Sequence, residues 1–346
     1  MKYIRGFDNL RAYSIILVLF SHLGLFNFFG IENDYYQKRV MTLISGDTGV
    51  QIFFTLSGFL ITLILLFERK EGRISLKKFY IRRFLRLIPP LILFYIFVLV
   101  LMNFGLIGSN YKGVLYSIFY VYNFVPQEIY SGELAHTWSL SLEEQFYFSW
   151  PLFIYLFRKN KYLISIAILF VLFSFLLVYI YTVTPPEIFM PYRRFIPGIG
   201  PIMFGSLSAI IYDSKKILIK EYFIENYKIL SILLLIFLYP LYCPIKLINF
   251  TFLIHGCVMS IFLIWILANQ KNDKINLIDY RVLNYVGKIS YGIYVYQGLF
   301  LKTGPGGINR LEIQKFPLNI LLVFFMAVWS YEILEKPIIG VRKKFR

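Results

Sequence analysis

The chain has 346 residues, of which 58% are hydrophobic, 20% aromatic and only 16% charged. Water-soluble domains carry about a quarter charged residues, so this composition excludes a domain dressed for water. The formal charge of +17 would suit nucleic acid only on a basic soluble surface, and no soluble segment separates the apolar runs here.

Those runs are each about 20 residues long, enough to cross a hydrocarbon layer of about 30 Å. They predict an all-α polytopic membrane protein with about ten transmembrane helices. In chain order these lie at roughly 9–29, 47–67, 88–107, 138–157, 162–183, 195–212, 229–245, 248–268, 283–302 and 317–334. Segment 113–125 is apolar but too short to span. The first run is too long for the apolar part of a cleaved signal, and no small-x-small site follows it. No linker divides the chain, so residues 1–346 are expected to form one transmembrane domain.

Basic residues set the expected orientation. Placing the N-terminus inside puts 27 of the 36 lysines and arginines on that side and 9 on the other. The positive-inside rule then makes both termini of this multi-pass protein cytoplasmic. The two cysteines, Cys243 and Cys257, stand in apolar runs without a CxxC or histidine partner, which predicts packing and neither disulfide nor metal chemistry.

The first candidate site lies in LRAYSIILVLFSH, where Arg11 and His22 are eleven residues apart. Eleven steps of about 100° return to one helix face, about 16 Å further along the axis. An ionisable group at that depth faces a cavity and is functional by default. Imidazole changes protonation near neutral pH, which suits His22 to removing a proton from a hydroxyl. Arg11 is expected at the cytoplasmic entrance of the same cavity.

In the second run, Ser57-Gly58 is read as a small pair that lets helices pack closely. The loop that follows carries eight basic residues from Arg69 to Arg86. Most are explained by topology or anionic lipid. Arg83 and Arg86 stand three apart before Pro89-Pro90, at the expected mouth of the third span. That spacing sets two guanidinium groups on one helix face, a fork suited to phosphate.

The segment HTWSLSLEEQFYFSWP then places Glu143 and Glu144 in the first two turns of a span, with Trp138, Tyr147 and Trp150 as an interfacial belt. Adjacent residues point about 100° apart, so at most one carboxylate faces a given cavity. Glu143 is the choice to assist His22. Glu144, Ser139, His136 and Arg194 complete the candidate acceptor-binding set. His255 stands alone on an apolar helix and is the weakest of the three histidines.

These residues together resemble the membrane-bound acyltransferase-3 family. Its opening pattern, a basic residue, ten others and a histidine, matches Arg11 to His22, and its Arg-x-x-Arg pattern matches Arg83-Phe84-Leu85-Arg86. FFTLSGFLIT, TWSLSLEEQFYFSWP, VGKISYGIYVYQ and YEILEKPIIGVRKKF follow in the family's order. Two departures stand out: Gln297 occupies a position where many members carry histidine, and no SGNH-type esterase-like extension follows the membrane domain.

The resemblance implies an O-acyltransferase. It would take an acyl group, most readily acetyl, from cytoplasmic acyl-CoA and deliver it to a hydroxyl of a carbohydrate or lipid-linked glycan, at the extracytoplasmic face. Arg11, Arg83 and Arg86 would hold the coenzyme A donor, and His22 would deprotonate the acceptor or carry the acyl group. A transporter or flippase with His22 in its polar cavity is the alternative; it predicts internal repeat symmetry, which the chain does not display. A multispan glycosyltransferase would want an acidic pair in the first outer loop, where only Glu32 and Asp34 stand.

Overall fold

The computed structural model describes residues 3–23, 34–224, 226, 228–301 and 311–342. Among them every regular element is helical. The principal helices are α1 Phe7–His22, α2 Gly46–Lys70, α3 Leu76–Asn103, α4 Thr137–Leu156, α5 Asn160–Val183, α6 Gly200–Ser214, α7 Thr251–Ala268, α8 Arg281–Phe300 and α9 Leu318–Ser330. Among the described residues five stretches are long and apolar enough to cross a membrane: Arg39–Lys70, Leu76–Asn103, Asn160–Val183, Leu247–Ala268 and Leu318–Ile338. Leu169, Leu172, Phe173 and Leu176 of α5 all point outward and are exposed. Such a surface suits hydrocarbon, where a helix keeps every backbone bond internal.

α2 is the spine of the bundle. It packs on α1, α4, α6 and α7. Gly58 of α2 lies directly against the Ile202 carbonyl oxygen of α6, and Gly205 of α6 against the Thr55 carbonyl oxygen of α2. Neither position has room for a Cβ, so the small pair expected at Ser57-Gly58 does bring two backbones together. On its other side α2 meets α1 through Gly49, which sits on Val18. The helices run antiparallel: the start of α2 lies by the end of α1, and Phe59 packs on Phe7 at 5.9 Å between ring centroids.

Three expected boundaries shift for local reasons. α3 begins at Leu76, with the Ser75 hydroxyl accepting from the Lys78 amide at 3.4 Å, so Arg83 and Arg86 stand inside a helix that also contains Pro89 and Pro90. The prolines remove amide donors without ending the helix. The sixth expected span is Phe195–Gly198 and α6, interrupted at Ile199 between Pro197 and Pro201. The seventh is Lys228–Phe237 followed by the short helix Tyr239–Tyr242. Segment 113–125 holds the helix Tyr111–Ile118 and a single 3-10 turn, as its length predicted. The expected continuation of the first span to residue 29, and Glu32, lie outside the described residues.

Candidate active site

Two cavities meet along one turn of α2. The first, about 590 Å³, lies toward the end of the bundle where α2 finishes and α3 begins. Its walls carry Arg11, Arg73, Lys78, Arg82, Arg83 and Arg86 against only two carboxylates, Glu68 and Glu143. The second, about 900 Å³, lies where α2 and α4 start and includes Asp47, Gln51, Trp138, Arg193, Asn249 and Thr251. Val50 and Phe54 belong to both walls.

The basic cavity is shaped by α3 and α4. Arg83 is three residues from Arg86 on α3, and both reach the same space, as their spacing requires. The Arg83 guanidinium stacks on the Tyr147 ring, 3.5 Å from its centroid, and its Nε has no hydrogen-bond partner. Arg82 is fixed by Glu68 at 2.7 Å, and Arg11 by Asp8 at 2.6 Å, one helical turn back. A buried guanidinium stacked on an aromatic ring is preorganised to present its remaining N–H groups to an oxyanion.

Glu143 lies at the deep end of this cavity. The hydroxyls of Ser57 and Tyr147 both donate to its Oε1, in short bonds. Glu144 is within the field of Arg83 and Arg86. The sequence reading set these carboxylates apart from the donor arginines, at the other mouth of the protein. The structure instead puts both beside Arg83, because the five to six residues of α4 below Trp138 carry the chain down by about 8–9 Å. Glu143 forms no hydrogen bond to His22.

Above Glu143 the α4–α8 contact is made of hydroxyls. Ser139 and Tyr294 share a short hydrogen bond, and both hydroxyls stand within hydrogen-bond distance of the His136 carbonyl oxygen, at 3.1 and 3.0 Å, so that one donates to the carbonyl and the other to its fellow hydroxyl. Both line the basic cavity. His136 itself is 5% exposed, its ring packed against Phe94 and Tyr294 and facing the backbone carbonyl groups of Glu133 and Val295. Gln297 is equally buried, with both amide atoms unpaired, and the next residue, Gly298, lies against the His136 ring. Buried polar atoms are nearly always paired in native proteins, so the unpaired Gln297 amide stands out in this cluster.

His22 is the last residue of α1 and is exposed. It stands within electrostatic range of Asp47, Arg193 and His136. It is thus at the larger cavity's side of the α2 partition, while Arg11, eleven residues back, is on the basic side. Arg194 is placed elsewhere: its guanidinium covers the Phe124 ring at 5.1 Å and donates to the Phe189 carbonyl oxygen at 3.4 Å. Arg193 takes the cavity position expected of Arg194, because the 3-10 turn Pro191–Arg193 gives way to extended backbone at Arg194 and sends the two side chains apart. His255 is a structural group, stacked on Phe237 at 4.2 Å and held between Gln51 and the Phe237 carbonyl oxygen.

Sequence reasoning passed over Asp47, Arg193, Tyr291 and Tyr294. The signal for the tyrosines was present, since Ser290, Tyr291, Tyr294 and Gln297 recur at three- and four-residue steps on α8. Asp47 and Arg193 carry no such pattern; only the fold joins them, at 3.7 Å.

Comparison with known proteins identifies the family. A family model described as an acyltransferase domain matches residues 4–331. The peptidoglycan O-acetyltransferase OatA of Listeria monocytogenes is 29% identical over 97% of this chain and 56% of its own length. YrhL of Bacillus subtilis, provisionally named for the same activity, is 26% identical over 97% of this chain and 55% of its own. The chain therefore spans about half the length of the curated relatives it matches. No solved structure matches it. With its apolar helices, its basic cavity and a family match running from residue 4 to residue 331, the chain belongs to the acyltransferase-3 family of multi-pass membrane proteins.

Proposed function

We propose that the chain is a membrane O-acyltransferase that moves an acyl group, most readily acetyl, from cytoplasmic acyl-CoA to a hydroxyl of a glycan acceptor. The observation that carries the reading is the basic cavity, whose six cationic side chains face two carboxylates in a helical membrane bundle. Coenzyme A is a polyphosphorylated ligand with a long, flexible, neutral arm. Arg82, Arg83 and Arg86 suit its phosphates, and Ser57, Ser139 and Tyr294 line the route for the arm toward Val50 and Phe54. In this reading the chain crosses a bacterial cytoplasmic membrane about ten times, with both termini and the basic cavity on the cytoplasmic side. The names of the relatives point to peptidoglycan as the acceptor.

His22 takes the proton of an acceptor hydroxyl, and the oxygen attacks the thioester carbonyl carbon. The carbon–sulfur bond breaks, the acyl–oxygen ester forms, and the coenzyme A thiolate leaves and takes up a proton. Acyl transfer through the His22 imidazole itself obeys the same balance in two steps. The Ser139 and Tyr294 hydroxyls are donors near the partition for the carbonyl oxygen as it gains charge. The test is release of free thiol from acetyl-CoA by the purified chain in detergent, with glycan as acceptor. Thiol release that depends on glycan and on Arg83 supports the reading, and absence of thiol release with correctly folded protein ends it.

A further inference from the structure

The basic cavity accounts for the donor and leaves the larger one without a role. Its charges are balanced: Asp47 and Arg193 face each other at 3.7 Å, and among the described residues no cluster of cations lines the cavity. A polyphosphate has no reason to bind there. Trp138 and Phe54, packed edge-to-face at 6.0 Å, supply an apolar wall, and Arg193 covers the Trp138 ring at 4.7 Å. Polar atoms converge on the opposite side. The Asn249 amide reaches the Tyr192 hydroxyl at 3.2 Å and the Thr182 hydroxyl at 3.3 Å. Thr251 is only 3% exposed, yet it lines the cavity and its hydroxyl has no partner. An apolar wall faced by a few directed hydrogen-bonding groups is the pattern of a small-ligand site, and the Thr251 hydroxyl, buried and unpaired, is a group such a ligand would satisfy.

We infer that this cavity is the acceptor seat, binding one or two sugar units of a glycan through Asp47, Arg193, Asn249 and Thr251, with sugar C–H groups against Trp138 and Phe54. The inference deepens the proposed function and rests on it for the word acceptor. Sugars present this combination of hydroxyls and apolar C–H faces. The position also fits the reaction: Val50 and Phe54 wall both cavities, and His22 stands beside Asp47 and Arg193. A hydroxyl held here and a thioester extended from the basic side would meet at one turn of α2.

The test is direct binding of a peptidoglycan tetrasaccharide, released by muramidase, to the full chain in detergent, followed by calorimetry without any donor. Thr251→Val and Asn249→Ala should each weaken tetrasaccharide binding by about 3- to 10-fold, the loss of one neutral hydrogen bond. Acetyl-CoA affinity, measured on the same preparations, should stay unchanged and reports that each variant is folded. Wild-type protein that binds acetyl-CoA but not the tetrasaccharide overturns the inference. So does tetrasaccharide binding that is unaffected in both variants. The two readings fail separately: sugar binding that depends on Thr251 and Asn249, without thiol release from acetyl-CoA, preserves the sugar seat and sinks the transferase.

Discussion

The two cavities share a wall and differ in almost everything else. The basic one draws its character from consecutive turns of one helix: Arg82, Arg83 and Arg86 are neighbours in sequence before they are neighbours in space. The charge-balanced one is assembled from α2, α4, α7 and the 191–193 turn, none of which is distinctive alone. A site for a highly charged ligand can be written as a local charge run. A site for a neutral ligand needs directed hydrogen bonds from several elements, and so it exists only in the folded bundle.

The largest effect should come from His22, beside Asp47 and Arg193 on the side of the charge-balanced cavity. His22→Ala should lower transfer by about 10²–10⁴-fold while leaving acetyl-CoA and tetrasaccharide affinity intact, the signature of a lost general base. Initial rates with both substrates varied would read this, and near-normal turnover would remove His22 from the chemistry. The donor side should answer next. Arg83→Ala or Arg86→Ala should weaken acetyl-CoA binding by about 10- to 150-fold, since charge-assisted bonds to phosphate are worth about 1.5–3 kcal/mol. Arg86→Lys should restore only part of it, because an ammonium cannot offer the two-pronged contact. Equal losses of sugar affinity would mean that the cavities are one site.

Glu143→Gln should reduce turnover by about tenfold, the scale of one charge-assisted hydrogen bond, through its bonds with Ser57 and Tyr147. A change confined to the sugar requirement would return Glu143 to the acceptor side, against its position beside Arg83. The scaffold can be tested independently. Gly205→Ala should destabilise the bundle by about 1–3 kcal/mol, an overpacking cost, because a Cβ there meets the Thr55 carbonyl oxygen. Thermal unfolding in detergent measures it, and an unchanged transition would show that α2 and α6 can separate freely. The smallest effect separates two adjacent arginines. Arg194→Ala should leave both affinities within about twofold, whereas Arg193→Ala should weaken the sugar alone, as a residue engaged in the Asp47 pair and the Trp138 stack would.

Much of the fold was legible in the chain. Apolar run lengths predicted helices close to those observed, and the short 113–125 segment stayed short. The misplaced boundaries share a cause. Pro89-Pro90 reads as a helix start, yet Ser75 already caps α3, and a bilayer-length helix tolerates internal prolines when neighbours support it. The site was legible in parts. Arg11, Arg83, Arg86, Ser139 and Glu143 do line one cavity. Their relative depth was not legible, because the helix facing α4 brings Arg83 beside Glu143 and Glu144.

What the sequence determined by itself was the solvent, the helical class and the basic end, since these depend on composition and on periods within one segment. What only the tertiary structure decided was which polar groups meet. Ser57 reaches Glu143 across 86 residues of chain, Ser139 reaches Tyr294 across 155, and Asp47 finds Arg193 rather than a partner on its own helix. Hydrogen bonds and ion pairs act over a few ångströms, and those few ångströms are set by the Gly58–Ile202 and Gly205–Thr55 backbone contacts that hold α2 in place. Contacts between distant segments have no period to read, so the chemistry of the two cavities emerges only when the helices pack.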